Sequence, residues 1–292
     1  MNLKHFEDQA QELRVLGMKI SVGPDTVYEH YWDEDCRRNL YSASKSFTSC
    51  AVGFAVQEGL ISLDEKLVDA FAEDIPEHPD ENLQKATVRD LLTMCLGQEK
   101  SFLMGPQRPR MTETDWVKAS LAIPFAYEPG TRFVYNNVGP YLAGILVQRR
   151  AGCHLLDYLT PRFLKPLGIR RTVWEVDPQG MVFGAGGLFL TVSEFHKLGM
   201  FWLQNGCWNG RQLLSADWIR ESSRKQVEND RDSYGYGYLF WGGPENSFRA
   251  DGKYGQFSIV LRDKQAVITL MAESREANRL QQAIFTDIWP QL

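Results

Sequence analysis

Hydrophobic and polar positions alternate loosely near both ends of the chain, and this alternation predicts strands there. The runs VLGMKISVG and DTVYEHYW are separated by a Pro-Asp pair and predict a hairpin near the N-terminus. GQFSIVLRDKQAVITLMAE places two apolar runs around a polar turn, so a second hairpin is predicted near the C-terminus. The aromatic and glycine-rich run YGYGYLFWGG is also predicted to form a strand.

Between these strands the apolar residues recur every three or four positions, which is the spacing of an amphipathic helix. The first helix is predicted to begin at Ser42. Two later helices are predicted to begin at capping boxes, one made by Ser62 with Glu65 and the other by Thr191 with Glu194. REANRLQQAIFTDIW predicts a helix that closes the chain.

This order of elements predicts an α+β fold in a single domain over residues 1–292. One antiparallel sheet is built from both chain ends and flanked by helices, using residues 1–64 and 176–292. Residues 65–175 form an inserted, mostly helical subdomain. Clefts between two such parts are favoured places for ligands.

Composition excludes several classes of function. Hydrophobic residues make up 43% and charged residues 24% of the 292 residues, which is typical of a soluble globular protein. The formal net charge of -5 gives no support for a nucleic-acid partner. No apolar run approaches the roughly 18 residues of a membrane span, so no membrane partner is expected. The opening MNLKHFEDQAQELRVLG is charged and lacks the apolar middle of a signal peptide, so we expect a cytoplasmic protein.

The cysteines and histidines predict no metal site. The five cysteines are scattered, with no C-x-x-C pair, which argues against both a disulfide framework and a zinc site. The five histidines show neither H-x-x-H nor H-E-x-x-H spacing, and we interpret them as structural or surface residues.

The stretch YSASKSF places Ser42 three residues before Lys45 at the start of the first predicted helix. Residues at i and i+3 project from the same helix face. A desolvated lysine has a lowered pKa and can accept the proton of a neighbouring serine. Two interpretations stay open: a nucleophile with its base, or an ordinary helix start with one lysine. The same spacing occurs at Ser222 and Lys225, in a polar setting.

Two later motifs favour the catalytic interpretation. RFVYNNVG supplies Tyr135 and Asn137 between an extended segment and a helix, and ADGKYGQFSIV supplies Lys253 and Gly255 before an apolar strand. A glycine at position 255 suits a strand whose backbone a substrate must approach closely. Simpler roles also remain open: Asn137 as the cap of the following helix, and Lys253 as a solvated turn residue.

The three motifs S-x-x-K, Y-x-N and K-x-G, in this order, resemble the signature of penicillin-binding proteins and serine β-lactamases. Y-x-N as the middle motif is similar to the class C β-lactamase branch, with its D-alanyl-D-alanine peptidase and esterase relatives. Connecting stretches such as VGFAVQEGLISLDEKL, EPGTRFVYNNVGPYLAGIL and GAGGLFLT are also similar to that family. The resemblance extends from about residue 14 to the C-terminus.

The resemblance implies a role for each motif residue. Ser42 attacks a carbonyl group and forms an acyl-enzyme. Lys45 and Tyr135 share the base role, with the pKa of the phenol lowered by the flanking lysines. Lys253 supplies positive charge beside that phenol, and Asn137 holds the acyl-side carbonyl or amide of the substrate.

The resemblance also implies an oxyanion hole made by the backbone N–H groups of Ser42 and Gln256, next to Gly255. An N–H at a helix start has no intrahelical acceptor and is free to donate to a developing oxyanion. The substrate is expected to be a small acyl compound such as an ester, amide or lactam. No metal or organic cofactor is implied.

The third motif departs from the family pattern because Tyr254 replaces a small hydroxyl residue that helps bind the carboxylate of penicillins and peptidoglycan stems. We therefore favour a cytoplasmic esterase or amidase over a β-lactamase or D-alanyl-D-alanine carboxypeptidase. A catalytically silent binding protein on the same fold is the third hypothesis. The expected pocket wall is aromatic, made by Tyr41, Tyr254 and Trp241, with Phe102 from a loop over 98–113. Substrate identity, acyl acceptor and oligomeric state stay open.

Overall fold

A six-stranded antiparallel sheet forms one side of the protein in the computed structural model, which describes all 292 residues. The strand order is β2-β1-β10-β9-β8-β7, and two further pairs, β3 with β4 and β5 with β6, lie outside this sheet. The strands are β1 (Val15–Val22), β2 (Asp25–Tyr31), β3 (Arg38–Asn39), β4 (Phe189–Leu190), β5 (Cys207–Trp208), β6 (Arg211–Gln212), β7 (Trp241–Gly242), β8 (Ser247–Gly252), β9 (Gln256–Leu261) and β10 (Ala266–Ala272).

The two predicted hairpins are confirmed, and they join the chain ends. β1 pairs with β2 and β9 pairs with β10, while the pairing of β1 with β10 connects the first strand to the last. Gly23 takes φ +55° in the first turn and Gln265 takes φ +48° in the second. These left-handed conformations allow the chain to reverse within a few residues. The α+β class and the sheet built from both chain ends are therefore as predicted.

Helices cover the sheet and fill the centre of the chain. They are α1 (Lys4–Glu12), α2 (Ser44–Gln57), α3 (Leu67–Ala70), α4 (Glu81–Lys85), α5 (Val88–Thr93), α6 (Trp116–Leu121), α7 (Val138–Ala151), α8 (Leu155–Leu159), α9 (Val192–Leu203), α10 (Ala216–Ser223) and α11 (Ala277–Ala283). Residues 65–175 carry α3 to α8 and none of the ten strands. The division into subdomains stays a prediction.

Two local predictions are wrong. The Ser62 box does not start a helix, because α3 begins only at Leu67 and the chain at Ser62 forms a turn. Within YGYGYLFWGG only Trp241–Gly242 is a strand. Leu239 takes φ +63°. The backbone N–H groups of Tyr238 and Leu239 donate to the carbonyl groups of Ser222 in α10 and Leu92 in α5, and not to a neighbouring strand. The aromatic composition suited a strand, but the backbone partners lie elsewhere.

Apolar side chains fill both faces of the sheet. The larger core lies between the sheet and the helical region and includes Phe47, Tyr141, Phe195 and Trp202. The smaller core lies on the opposite face, beneath α1 and α11. Helix α1 was not predicted from the sequence, although Leu3, Phe6, Ala10 and Leu13, which are all buried, follow helical spacing.

Helix α2 runs through the larger core and positions the candidate site. All its residues from Ser44 to Ala55 are buried. Polar groups in such a place need partners, and most of them bind backbone atoms of other segments. Ser44 Oγ accepts from the N–H of Leu188, and Ser46 Oγ donates to the carbonyl of Leu239. These contacts fix the helix against the chain on either side of it.

The end of β8 packs directly on the turn Tyr41–Ala43 that precedes α2. A Cβ atom at Gly252 would lie 2.2 Å from the carbonyl oxygen of Leu40 and 3.2 Å from the N–H nitrogen of Ala43. We therefore expect Gly252→Ala to push the turn away from the strand. The change should lower the free energy of unfolding by about 1–3 kcal/mol, as overpacking usually does.

The prediction is tested by urea unfolding of this variant beside Gly105→Ala, whose added Cβ would meet no atom within 4 Å. Equal midpoints for the two variants would contradict the close contact.

Candidate active site

Ser42 lies in the turn Tyr41–Ala43, two residues before α2 begins at Ser44, and its side chain lines a cleft. Lys45 follows on the first turn of α2, with its Nζ atom 3.1 Å from Ser42 Oγ. The spacing of three residues therefore brings hydroxyl and amine together, as the sequence predicts. The second S-x-x-K does not, because Ser222 accepts a hydrogen bond from Trp202 and Lys225 pairs with Glu228.

The Lys45 ammonium is buried to 1% exposure, and three hydrogen bonds hold it. Besides Ser42, its Nζ atom donates to Asn137 Oδ1 and to the backbone carbonyl of Ala185, each at 2.7 Å. Burial lowers the pKa of Lys45 to about 7, and the positive charges of Arg108 and Arg231 act in the same direction. The amine is therefore close to half-deprotonated at neutral pH.

The neutral form of this amine is arranged to accept the serine proton. A neutral amine has two N–H donors and one lone pair. The two donors are used by the short bonds to Asn137 and Ala185, so the lone pair is left for the hydroxyl of Ser42 at 3.1 Å. Such an arrangement can activate a serine without histidine or metal.

The expected lowering of the Tyr135 pKa is wrong. Burial raises the pKa of Tyr135 to about 12, and the Ser42 hydroxyl and the Arg231 charge only partly oppose that effect. The flanking lysines do not lower it: Lys45 Nζ lies 5.1 Å from the ring centre, and Lys253 lies over another ring. The phenol is therefore protonated at neutral pH and suited to donate a proton or hydrogen bond, and a base role shared by Lys45 and Tyr135 stays a prediction.

Asn137 occupies the N-cap position of α7, but its side chain does not cap the helix. Its Oδ1 accepts from Lys45 and its Nδ2 donates to the carbonyl of Leu103 at 2.9 Å. The capping bond is made by Asn136, whose Oδ1 accepts from the N–H of Gly139 at 3.1 Å. Of these two neighbouring side chains, Asn137 therefore bonds within the site and Asn136 caps the helix.

This division gives a matched pair of variants. Asn137→Ala removes the acceptor of Lys45 and should lower kcat/KM about 10²-fold, within the usual range for a group that orients a catalytic base. Asn136→Ala removes a cap and should cost about 1 kcal/mol of stability with activity largely kept. Steady-state kinetics and thermal unfolding of both variants test this. A larger activity loss in Asn136→Ala would contradict the assignment.

The third motif lies in the tight turn between β8 and β9. Lys253 lines the cleft, with its Nζ atom 4.6 Å from the ring centre of Tyr254. Gly255 takes φ +92°, and a Cβ there would meet Leu280 at 2.7 Å and Ala272 at 3.2 Å. Glycine is thus required by the turn and by packing against α11, and close approach of a substrate to this backbone stays a prediction.

Gln256 opens β9 and pairs with Gly252, the residue that packs on the Ser42 turn. Its backbone is thus held close to the nucleophile, while its side chain donates to the carbonyl of Ala272 at 2.6 Å, away from the cleft. The oxyanion hole formed by the N–H groups of Ser42 and Gln256 stays a prediction.

The aromatic residues expected around the site are partly in the cleft. Tyr254 and Trp241 line it, and Tyr41 reaches it through an edge-to-face contact with Tyr254, with ring centres 5.2 Å apart. Phe102 is not a lining residue: it packs on the larger core, and its neighbour Met104 lines the cleft instead. The cleft has a volume of about 1180 Å³.

Sequence reasoning missed three groups that act on Lys45. Ala185 contributes a carbonyl, and Arg108 and Arg231 contribute charge from loops. The glycine-rich run GAGGLFLT indicated the first, since Gly184 lies against α2, where a Cβ atom would lie 3.1 Å from the Thr48 hydroxyl. The arginines gave no signal, because loop residues carry no periodicity that predicts their neighbours.

No three histidine, cysteine, aspartate or glutamate side chains lie close enough together to hold a metal ion. His196 is buried between Ser21 and Thr269, and burial lowers its pKa to about 3, so it is a structural residue in a hydrogen-bonded chain. None of the helices combines the length and apolar character needed to cross a membrane.

Fold and site together define the serine β-lactamase class of proteins, which includes hydrolases and acyltransferases. A solved structure described as a putative 6-aminohexanoate-dimer hydrolase from Bacillus anthracis superimposes with a TM-score of 0.82. It is 19% identical, and the match covers 97% of this chain and 80% of that chain. The family model described as Beta-lactamase matches residues 3–290, so the chain belongs to the beta-lactamase family.

The matches to curated relatives cover only part of each relative's length. Monacolin J acid methylbutanoyltransferase from Aspergillus terreus is 31% identical over 157 residues, which cover 47% of this chain and 37% of the relative. Protein flp from Staphylococcus aureus is 23% identical over 180 residues, covering 60% and 33%. The chain thus spans about a third of the length of these relatives. Family and neighbours support a serine hydrolase-type enzyme.

Proposed function

We propose that the protein is an esterase or amidase that forms an acyl-enzyme through Ser42 and acts on a small acyl compound. The observation that carries the proposal is the buried Lys45 amine, 3.1 Å from Ser42 Oγ, with a pKa of about 7. Neutral Lys45 takes the hydroxyl proton as Ser42 Oγ bonds to the substrate carbonyl carbon. Its ammonium then gives this proton to the leaving alcohol or amine, either directly or through the phenol of Tyr135, which ends the step protonated, as the carbonyl–heteroatom bond breaks.

The second half of the reaction uses the same groups in reverse. Lys45, neutral again, takes a proton from water, the hydroxide oxygen bonds to the acyl carbon, and the proton returns to Ser42 as the ester bond breaks. Asn137 orients Lys45 throughout and presents its amide toward the acyl group. The N–H groups of Ser42 and Gln256 stabilise the oxyanion in both steps, an arrangement worth about 3 kcal/mol per donor in other enzymes.

The third motif supports esters and amides over β-lactams. Tyr254 follows Lys253 where the family has a small hydroxyl residue, and its ring packs on that of Tyr41. Both tyrosines take positive φ values, +68° and +48°, a strained conformation for bulky residues. Tyr254 lines the same cleft as Ser42. One relative is named a methylbutanoyltransferase and one structural neighbour a putative 6-aminohexanoate-dimer hydrolase, so neither name refers to a β-lactam.

The test is a panel of esters, amides and β-lactams assayed between pH 5 and 9. The base must be neutral, so kcat/KM should rise about tenfold per pH unit below pH 7 and level off above it. We expect turnover of small esters and little turnover of penicillins. Faster turnover of β-lactams would favour the β-lactamase alternative. No turnover of any compound, with unchanged ligand affinity in Ser42→Ala, would favour the binding-protein alternative.

A further inference from the structure

Three cationic side chains in the cleft have no carboxylate partner, although the chain is acidic overall with a net charge of -5. They are Arg231, Lys253 and Arg275. The remaining charged lining residues are already engaged. Arg249 Nε donates to Asp251 Oδ2 at 2.9 Å, and Asp232 Oδ1 accepts from Asn229 and from the N–H of Tyr234, each at 2.9 Å. The cleft therefore offers unpaired positive charge to a ligand.

Arg231 is held in a fixed place among these three. Its guanidinium carbon lies 4.3 Å from the ring centre of Trp241 and 5.3 Å from that of Tyr135. Its backbone N–H donates to Asn229 Oδ1 at 2.7 Å, which fixes the loop. A guanidinium that rests its face on aromatic rings keeps its edge, with several N–H donors, free for a planar anion.

The position of Arg231 connects it with the reacting groups. The ring of Tyr135 that it contacts lies beside Ser42, and the charge of Arg231 lowers the pKa values of both Lys45 and Tyr135. Lys253 instead lies over Tyr254. The cleft that Arg231 and Ser42 both line also includes Trp241 and Met104, whose apolar surfaces suit a short methylene chain.

We infer that Arg231 binds a carboxylate at the far end of the acyl group, so that the enzyme prefers mono-esters and mono-amides of dicarboxylic acids. The inference rests on the proposed function and specifies its substrate class. A bidentate pair between guanidinium and carboxylate supplies both orientation and affinity. Such a ligand also neutralises the charge that lowers the pKa of Lys45, so the acidic limb of the kcat profile should lie at higher pH with the anionic substrate than with a neutral one.

The test compares p-nitrophenyl hexanoate with the mono-p-nitrophenyl ester of adipic acid, which have the same leaving group and similar acyl length. We expect kcat/KM about tenfold higher for the anionic ester, as one partly exposed charge-assisted pair allows. The preference should fall at high salt. Arg231→Gln should remove it and Arg275→Gln should keep it. Ratios within each variant cancel any change in the pKa of Lys45.

Three outcomes would overturn the inference. The first is equal turnover of the two esters by the unaltered protein, which leaves the proposed function intact because both esters react. The second is a preference that is lost in Arg275→Gln and kept in Arg231→Gln. The third is a preference for an anionic leaving group, measured with 4-hexanoyloxybenzoate against phenyl hexanoate. If neither p-nitrophenyl ester reacts and Ser42 gives no adduct with a fluorophosphonate, it is the proposed function that fails.

Discussion

Lys45→Met should lower kcat/KM for an ester by about 10³-fold, because the variant has no group that can take the proton of Ser42. General base catalysis usually contributes 10²–10⁴-fold. Lys45→Arg should be equally inactive, since a guanidinium stays protonated. Lys225→Met, in the second S-x-x-K sequence, is the matched control and should keep full activity because Lys225 is exposed and pairs with Glu228.

Lys45→Met should also change how the free energy of unfolding depends on pH. Lys45 has a pKa of about 7 in the folded protein and an ordinary one, near 10.4, in the unfolded chain. Between these values the unfolded chain binds the extra proton, so the free energy of unfolding rises with pH. From pH 7 to pH 9 this group contributes a rise of about 2 kcal/mol, which Lys45→Met should lack.

Urea unfolding of both proteins at pH 7 and pH 9 measures this contribution as a difference of differences. The comparison does not depend on the cost of leaving Asn137 and Ala185 without their donor, because that cost is the same at both pH values. Parallel pH profiles for the two proteins would show that Lys45 is fully charged in the folded state, and it could not then act as the base.

Ser42→Ala should have the other large effect, lowering kcat/KM by about 10³-fold or more because the acyl-enzyme cannot form. The fold should survive, since Ser42 lines the cleft and its hydroxyl bonds to Lys45 and Tyr135 in the site rather than to the backbone of the turn. Ser46→Ala is the control: it removes a buried hydroxyl one helical turn away that bonds to the carbonyl of Leu239. It should lose stability and keep activity.

Much of the fold and the grouping of the site follow from sequence patterns. Period-two alternation identified both hairpins, and helical spacing identified α2, α9 and the final helix. The separation of three residues between Ser42 and Lys45 was enough to place them on one face. Tyr135 and Asn137 reach the same place because the chain turns there from an extended segment into α7.

What the sequence does not reveal depends on burial and on contacts between distant loops. The lowered pKa of Lys45 comes first from desolvation inside a core that only the folded chain creates, and then from Arg108 and Arg231 on separate loops. The same burial acts on Tyr135 in the opposite sense, since it raises the pKa of an acid that is neutral when protonated. The motifs identify the candidate residues, but burial in the folded protein sets their pKa values.

Whether Ser42 is an activated nucleophile is measured most directly by the intact mass of the protein after incubation with a fluorophosphonate. We expect one adduct on the unaltered protein and on Ser46→Ala, none on Ser42→Ala, and slower labelling below pH 7. An unlabelled protein, or an adduct that persists in Ser42→Ala, would contradict this expectation.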